Sequence, residues 1–232
     1  MDKRTRSRLE MAARALEFCL AHPNPSTGYT AAVAELAELL ARSQQLADQQ
    51  RQGIAEVRAA TAQKRKLRRS IRQAQMKHVG QAAQRAAREV PELAEKLALA
   101  REPIPYLAFQ SLARTVAAEA EASKDVLVRH GLVDQVLDSL KDGMAQFEQA
   151  MQRAAEGRRI HVGAAVELDV NAGEAIGILK VIDGYNRVRF AGEPDLLAAW
   201  RSASNVIGPA RPAQKTEPST EAPKPGAGET AA

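Results

Sequence analysis

Ten cationic side chains lie between positions 58 and 88 with no Asp or Glu among them: Arg58, Lys64, Arg65, Lys66, Arg68, Arg69, Arg72, Lys77, Arg85 and Arg88. The chemistry they offer is electrostatic. Clustered Lys and Arg neutralise phosphates, which supplies most non-specific nucleic-acid affinity, and they attract anionic membrane surfaces in the same way. The chain carries 33 Lys and Arg against 28 Asp and Glu, so without these ten the remaining 23 cations are outnumbered by the acids. All of the net basicity therefore sits in one segment.

The segment contains no Phe, Tyr or Trp for base stacking. It also lacks Gly-rich loops and the signatures of helix-turn-helix, zinc-finger and RNA-recognition modules. On a helix, Lys64, Arg68 and Arg72 share a face by fourfold spacing, while Arg65 and Arg69 lie about 100° around. The competing expectation is charge matching within the fold or between subunits. The stretch from Glu89 to Glu156 is acidic, and complementary helix faces fix pairing and register in bundles.

A second cluster gathers Tyr185, Asn186, Arg187, Arg189 and Trp200, the chain's one tryptophan, beside Asp183 and Phe190. Aromatic, amide and guanidinium groups together are how a small-ligand or peptide site looks. The simpler reading is a C-terminal cap in which Phe190, Leu196 and Trp200 close the core, since large aromatics in an aromatic-poor chain anchor packing.

No metal or other cofactor is expected. A bundle metal site needs three or four ligands, typically with Glu three residues before His, and none of the 4 histidines has that neighbour. Cys19 is the single cysteine, which excludes an intramolecular disulfide and reads as a small buried apolar residue in a reducing compartment. Nucleophile-elbow, phosphate-loop, dinucleotide and zinc-protease motifs are missing, so the chain reads as non-enzymatic.

The elements that must position these groups are helices. Ala, Leu, Glu, Gln and Arg dominate, 45% of residues are hydrophobic and 3% aromatic. Arg4 to Ala21 predicts an amphipathic helix with Leu9, Ala12, Ala13, Leu16 and Leu20 on one face, ended by His22-Pro23-Asn24-Pro25. A long helix follows from Ser26 to about Val79. Its coiled-coil-type seam runs through Val33, Leu36, Leu40, Ser43, Ala47, Gln50, Ile54, Val57, Thr61, Lys64, Arg68, Ile71, Gln75 and His78. A second seam runs from Val133 through Leu137, Leu140, Phe147, Ala154, Leu168, Ala175 and Ile182, broken by Arg158 and His161, and predicts a helix from Leu132 to Gly184. Between them, Gly80 to Ala100 and Tyr106 to His130 read as shorter helices around a Glu102-Pro103-Ile104-Pro105 connector, with Gly131 as a stop. Gly163, Gly173 and Gly177 suggest close approach of a neighbouring backbone.

The expected fold is all-α: an elongated antiparallel bundle of two long heptad-patterned helices with shorter helices alongside, spanning residues 1–207. Residues 208–232, rich in Pro, Ala and Glu, are expected to form a disordered tail. No apolar run is long enough to span a bilayer and no signal-peptide core is present, which predicts a cytoplasmic protein. The function expected is that of a structural or protein-interaction bundle, with a protein partner or a second copy of itself. The alternative is a polyanion-binding module, for nucleic acid or an anionic surface, acting through residues 58–88.

Overall fold

The computed structural model describes residues 1–99 and 104–206, and all regular structure among them is helical. The 208–232 tail and part of the 102–105 connector lie outside the described residues. Helix α1 spans Lys3–Ala21 and α2 spans Thr27–Ser70, continuing through a π-helical turn, Ile71–Met76, into α3, Lys77–Ala86. Short α4 (Glu92–Lys96), α5 (Tyr106–Ala122) and α6 (Lys124–Arg129) lead to α7, Asp134–Arg189, and α8 covers Pro194–Ala203. At about 1.5 Å per residue the 56 residues of α7 reach about 84 Å. None of these helices is long and apolar enough to cross a membrane.

Helices α2 and α7 run antiparallel. Gly28 lies beside Tyr185, Gly53 against Gly157 and Ile71 against Gly143, so one number rises as the other falls. The amide of Asn171 donates to Ser43 Oγ at 3.1 Å, and Ser43 in turn donates to the Leu39 carbonyl at 2.8 Å. Ser43 and Asn171, two of the polar residues buried between these helices, therefore satisfy one another, which offsets the cost of their burial.

One of the two heptad series on each long helix matches the buried positions; its companion falls one residue earlier than the periodicity predicts on α2 and in the middle of α7, while Leu137, Ala172 and Leu179 are buried as predicted. On α2 the buried companions are Ala32, Leu46, Gly53 and Ala60 rather than Val33, Ala47, Ile54 and Thr61. On α7, Gly157 takes the buried place and Arg158 points to solvent, so the arginine does not interrupt the seam. Small residues there let the backbones close up. A Cβ added to Gly53 would stand 2.7 Å from the Gly157 carbonyl oxygen, and one added to Gly157 would stand 2.9 Å from that of Gly53. By contrast, Cβ positions at Gly163, Gly173 and Gly177 are open, so the close approach predicted for those glycines belongs to Gly53 and Gly157 instead.

The π turn explains a second departure. An uninterrupted heptad would point Gln75 and His78 at the core; the extra residue carried by a π turn rotates the seam by one position. Met76 and Val79 are buried in their place, 1% and 0% exposed, and join Ala82, Ala83 and Ala86.

Two large cores result, one at each end of the hairpin, with a small cluster of Leu46, Ala164 and Leu168 between them. At one end Met76, Val79, Phe109, Leu127, Leu137 and Phe147 pack under α3–α6. The helix expected from Tyr106 to His130 is broken at Ser123, which turns α6 towards α3. Gly131, at φ +97°, ends α6 while the Leu132 N–H reaches back to the Leu127 carbonyl at 2.9 Å. At the other end α1 buries Met11, Ala15 and Cys19 against Tyr29, Leu36, Ile182 and Trp200. Its buried face is rotated from the predicted one, leaving Leu20 66% exposed, because Cys19 and Phe18 meet the aromatic side chains gathered at this end.

The Cys19 thiol is 1% exposed and burial pushes its pKa up, against a smaller downward pull from Tyr29 and Asn186. We predict that Cys19 resists alkylation in the native protein and reacts fully in denaturant, since the thiolate is the reactive form. Rapid labelling under native conditions would show that the α1 end opens.

Candidate polyanion interface and the aromatic cap

The two clusters singled out from the sequence end up at opposite ends of the hairpin. The cationic segment forms the second half of α2, the π turn and α3, with Arg88 in the turn that follows. Arg58, Arg65, Lys66, Arg69, Lys77, Arg85 and Arg88 are exposed, whereas Lys64, Arg68 and Arg72 are half-buried. The faces are sorted by the packing of this helix. Lys64 and Arg68 turn towards α5, where Lys64 Nζ sits 4.9 Å from the centre of the Tyr106 ring and the Arg68 guanidinium lies 5.5 Å from Tyr106 and 5.4 Å from Phe109. Aromatic faces, not carboxylates, receive the two cations placed on the predicted seam.

Arg58, Arg65 and Arg69, spaced by seven and four residues, run along one line of the helix on the solvent side, rising about 10 Å and then about 6 Å. Lys66 stands on the neighbouring line.

Among the described residues, no cation of this segment other than Arg72 is seen to pair with the acidic stretch. The acids pair instead with cations of their own neighbourhood, because α4–α6 and the start of α7 fold on one another. Glu89 takes Arg129 at 2.5 Å and His130 at 3.1 Å, Glu121 takes Lys141 at 2.8 Å, Asp134 takes Lys124 at 3.3 Å and Glu148 takes Arg114 at 2.5 Å. The His130 and Arg129 contacts hold the Glu89 carboxyl below its ordinary pKa, and Lys141 does the same for Glu121. Among the described residues no ion pair involves Arg58, Lys64, Arg65, Lys66, Arg68, Arg69, Lys77, Arg85 or Arg88. Arg72 has a partner.

The second cluster is drawn into α7 and α8. The helix expected to end at Gly184 runs on to Arg189, since Ile182 and Asn186 both fall on its buried face and Arg187 Nε pairs with Asp183 at 2.7 Å one turn back. Trp200 is 0% exposed, its indole N–H donating to Asp183 Oδ1 at 2.8 Å and its ring 5.5 Å from Phe18. Arg189 lies over Phe190 and donates to the His22 carbonyl at 2.9 Å, and Tyr185 meets Tyr29 edge-on at 5.8 Å.

These five side chains do not converge on one cavity. Tyr185 and Arg189 border an open depression with Asn24, Val181 and Val188, while Asn186 and Trp200 are buried and Arg187 is exposed on another side. The arrangement is a packed cap. Among the described residues no group of three His, Cys, Asp or Glu side chains is placed to hold a metal ion.

Sequence reasoning missed Tyr106 and Phe109 as neighbours of the cations. The signal was slight: aromatic residues at the start of a helix that the chain must fold back to deliver. No protein family, curated protein or solved structure matches this chain.

Proposed function

We propose that this is a non-enzymatic binding protein that engages the phosphate backbone of nucleic acid through the exposed basic face of residues 58–88. The observation that carries the reading is the absence, among the described residues, of any carboxylate partner for Arg58, Arg65, Lys66 or Arg69, in a molecule whose neighbouring acids pair with other cations. Unneutralised guanidinium and ammonium groups along a rigid helix release counterions from a polyphosphate when they bind it, which is the main source of sequence-independent affinity.

A bilayer surface is the weaker fit. A helix that lies in a membrane interface inserts its apolar face, and the apolar face of this one is occupied by α5 and α7. Lack of aromatic side chains in the segment argues for backbone contact rather than base reading.

Changing Arg58, Arg65, Lys66 and Arg69 together to Gln is expected to lower the slope of log affinity against log salt by about 3 to 4 for a short DNA duplex, at about 0.9 per phosphate contact. Fluorescence anisotropy over a salt series measures it. An unchanged slope, or no duplex binding by the parent at low salt, refutes the proposal. Binding to phosphatidylserine vesicles but not to duplex would replace nucleic acid by membrane as the partner.

A further inference from the structure

Helix α7 carries a second apolar face that none of the described residues covers. Val162, Val166, Val170, Val181 and Val188 are 48% to 82% exposed and follow one another at spacings of four, four, eleven and seven, so they share the side of the helix opposite buried Leu168, Ala175 and Ile182. Gly163, Gly173, Gly177 and Gly184 fall on the same side, and a Cβ at any of them would meet nothing within 4 Å. A glycine inside a helix costs about 1 kcal/mol relative to alanine. At Gly53 and Gly157 that cost is offset by close packing of two helices; on the outward face none of the described residues makes use of it.

We propose that this face is occupied by the same face of a second copy of the chain, laid antiparallel across a two-fold axis near position 175. A two-fold interface must be complementary to itself. This one is: in the reversed register Val162 stands opposite Val188, Val166 opposite Gly184 and Gly173 opposite Gly177, with Val170 and Val181 one residue out of exact register, so the smallest residues meet where the helices cross closest.

The flanking charges fit the same axis. Asp169 and Lys180, both exposed and eleven residues apart, lie on one edge of the face and nearly equidistant from the centre, so each pairs with the other residue of the second copy. Asp169 is held at that edge by Thr5, whose hydroxyl donates to its Oδ1 at 2.9 Å. On the opposite edge Glu174 sits close to the axis and meets its own counterpart. The inference is independent of nucleic-acid binding. The basic segment lies level with α7 residues well to one side of 175, so the two basic faces of the dimer would project at opposite ends.

Analytical ultracentrifugation of the full chain over a range of concentrations tests the proposal, with a dimer of twice the 25.0 kDa chain mass expected. Val170→Glu buries two charges across the interface and is expected to weaken the dimer at least about a hundredfold, with unchanged helicity because Val170 faces outward. Asp169→Lys and Lys180→Asp are each expected to weaken it and together to restore it, whereas Glu174→Gln is expected to tighten it. A strict monomer, a dimer indifferent to Val170→Glu, a charge swap that fails to rescue, or a dimer weakened by Glu174→Gln overturns the arrangement.

Discussion

Trp200→Ala is expected to destabilise the protein by about 3–5 kcal/mol, the cost of emptying a fully buried indole site, and so to lower the melting temperature by about 10 °C for a domain of this size. The side chain is 0% exposed and stands at the junction of three elements. Its ring meets Phe18 of α1, and its N–H is bound by Asp183 of α7. Removing it releases α8 and opens one flank of the core in which Phe18 stacks on His22 and both meet Phe190 edge-on. Trp200→Phe keeps an aromatic ring and loses the hydrogen bond; a smaller loss, about 1 kcal/mol from that bond plus part of the packing, is expected. Urea denaturation followed by circular dichroism gives both numbers. If Trp200→Ala costs under about 1 kcal/mol, the cap is an accessory rather than part of the core.

Gly53→Val is expected to cost about 3 kcal/mol, while Gly163→Ala is expected to gain about 1 kcal/mol. The two glycines lie on long helices that contact each other, yet the sign reverses because of what a new Cβ would meet. At Gly53 it would stand 2.7 Å from the Gly157 carbonyl oxygen and 2.9 Å from the His161 nitrogen, both backbone atoms of α7, so only separation of the helices relieves the clash. At Gly163 it meets open space, and the helix gains the ordinary advantage of alanine over glycine. Chemical denaturation at protein concentrations low enough to keep the chain monomeric separates this effect from association. A Gly53→Val protein as stable as the parent would mean that the helices do not approach as closely as Gly53 and Gly157 place them.

Several readings were legible because they depend on local pattern. The heptad runs through Leu36, Ser43 and Gln50, and through Leu140, Phe147 and Ala154, predict buried helix faces, and they are buried. Gly131 reads as a helix stop from its type alone and adopts the left-handed backbone that such a stop requires. Misreadings cluster where two patterns compete. Gly184 and the neighbouring Asn186 look like a turn, yet α7 passes through them because the buried face on either side is in phase. Gln75 and His78 occupy the arithmetic seam, but burying Met76 and Val79 is worth more than regular α-helical hydrogen bonding across that turn.

The basic segment shows where the division lies. Its charge and the absence of acids within it are properties of the chain, fixed by composition and readable without a fold. Which of its cations face solvent, and whether the acids of residues 89–156 would neutralise them, depends on where α3–α6 fold back.

The sequence by itself determined the helical class, the two long antiparallel elements and the concentration of positive charge, since each follows from residue type and a short period along the chain. Only the tertiary structure decided that Lys64 and Arg68 rest on Tyr106 and Phe109, that Gly53 and Gly157 rather than Gly173 and Gly177 bring helices together, and that α7 keeps an uncovered face of valine and glycine. Those outcomes depend on the rotation of each helix about its own axis. A shift of one residue turns a side chain by about 100°, too small a change to be read from spacing alone, and large enough to decide what it touches.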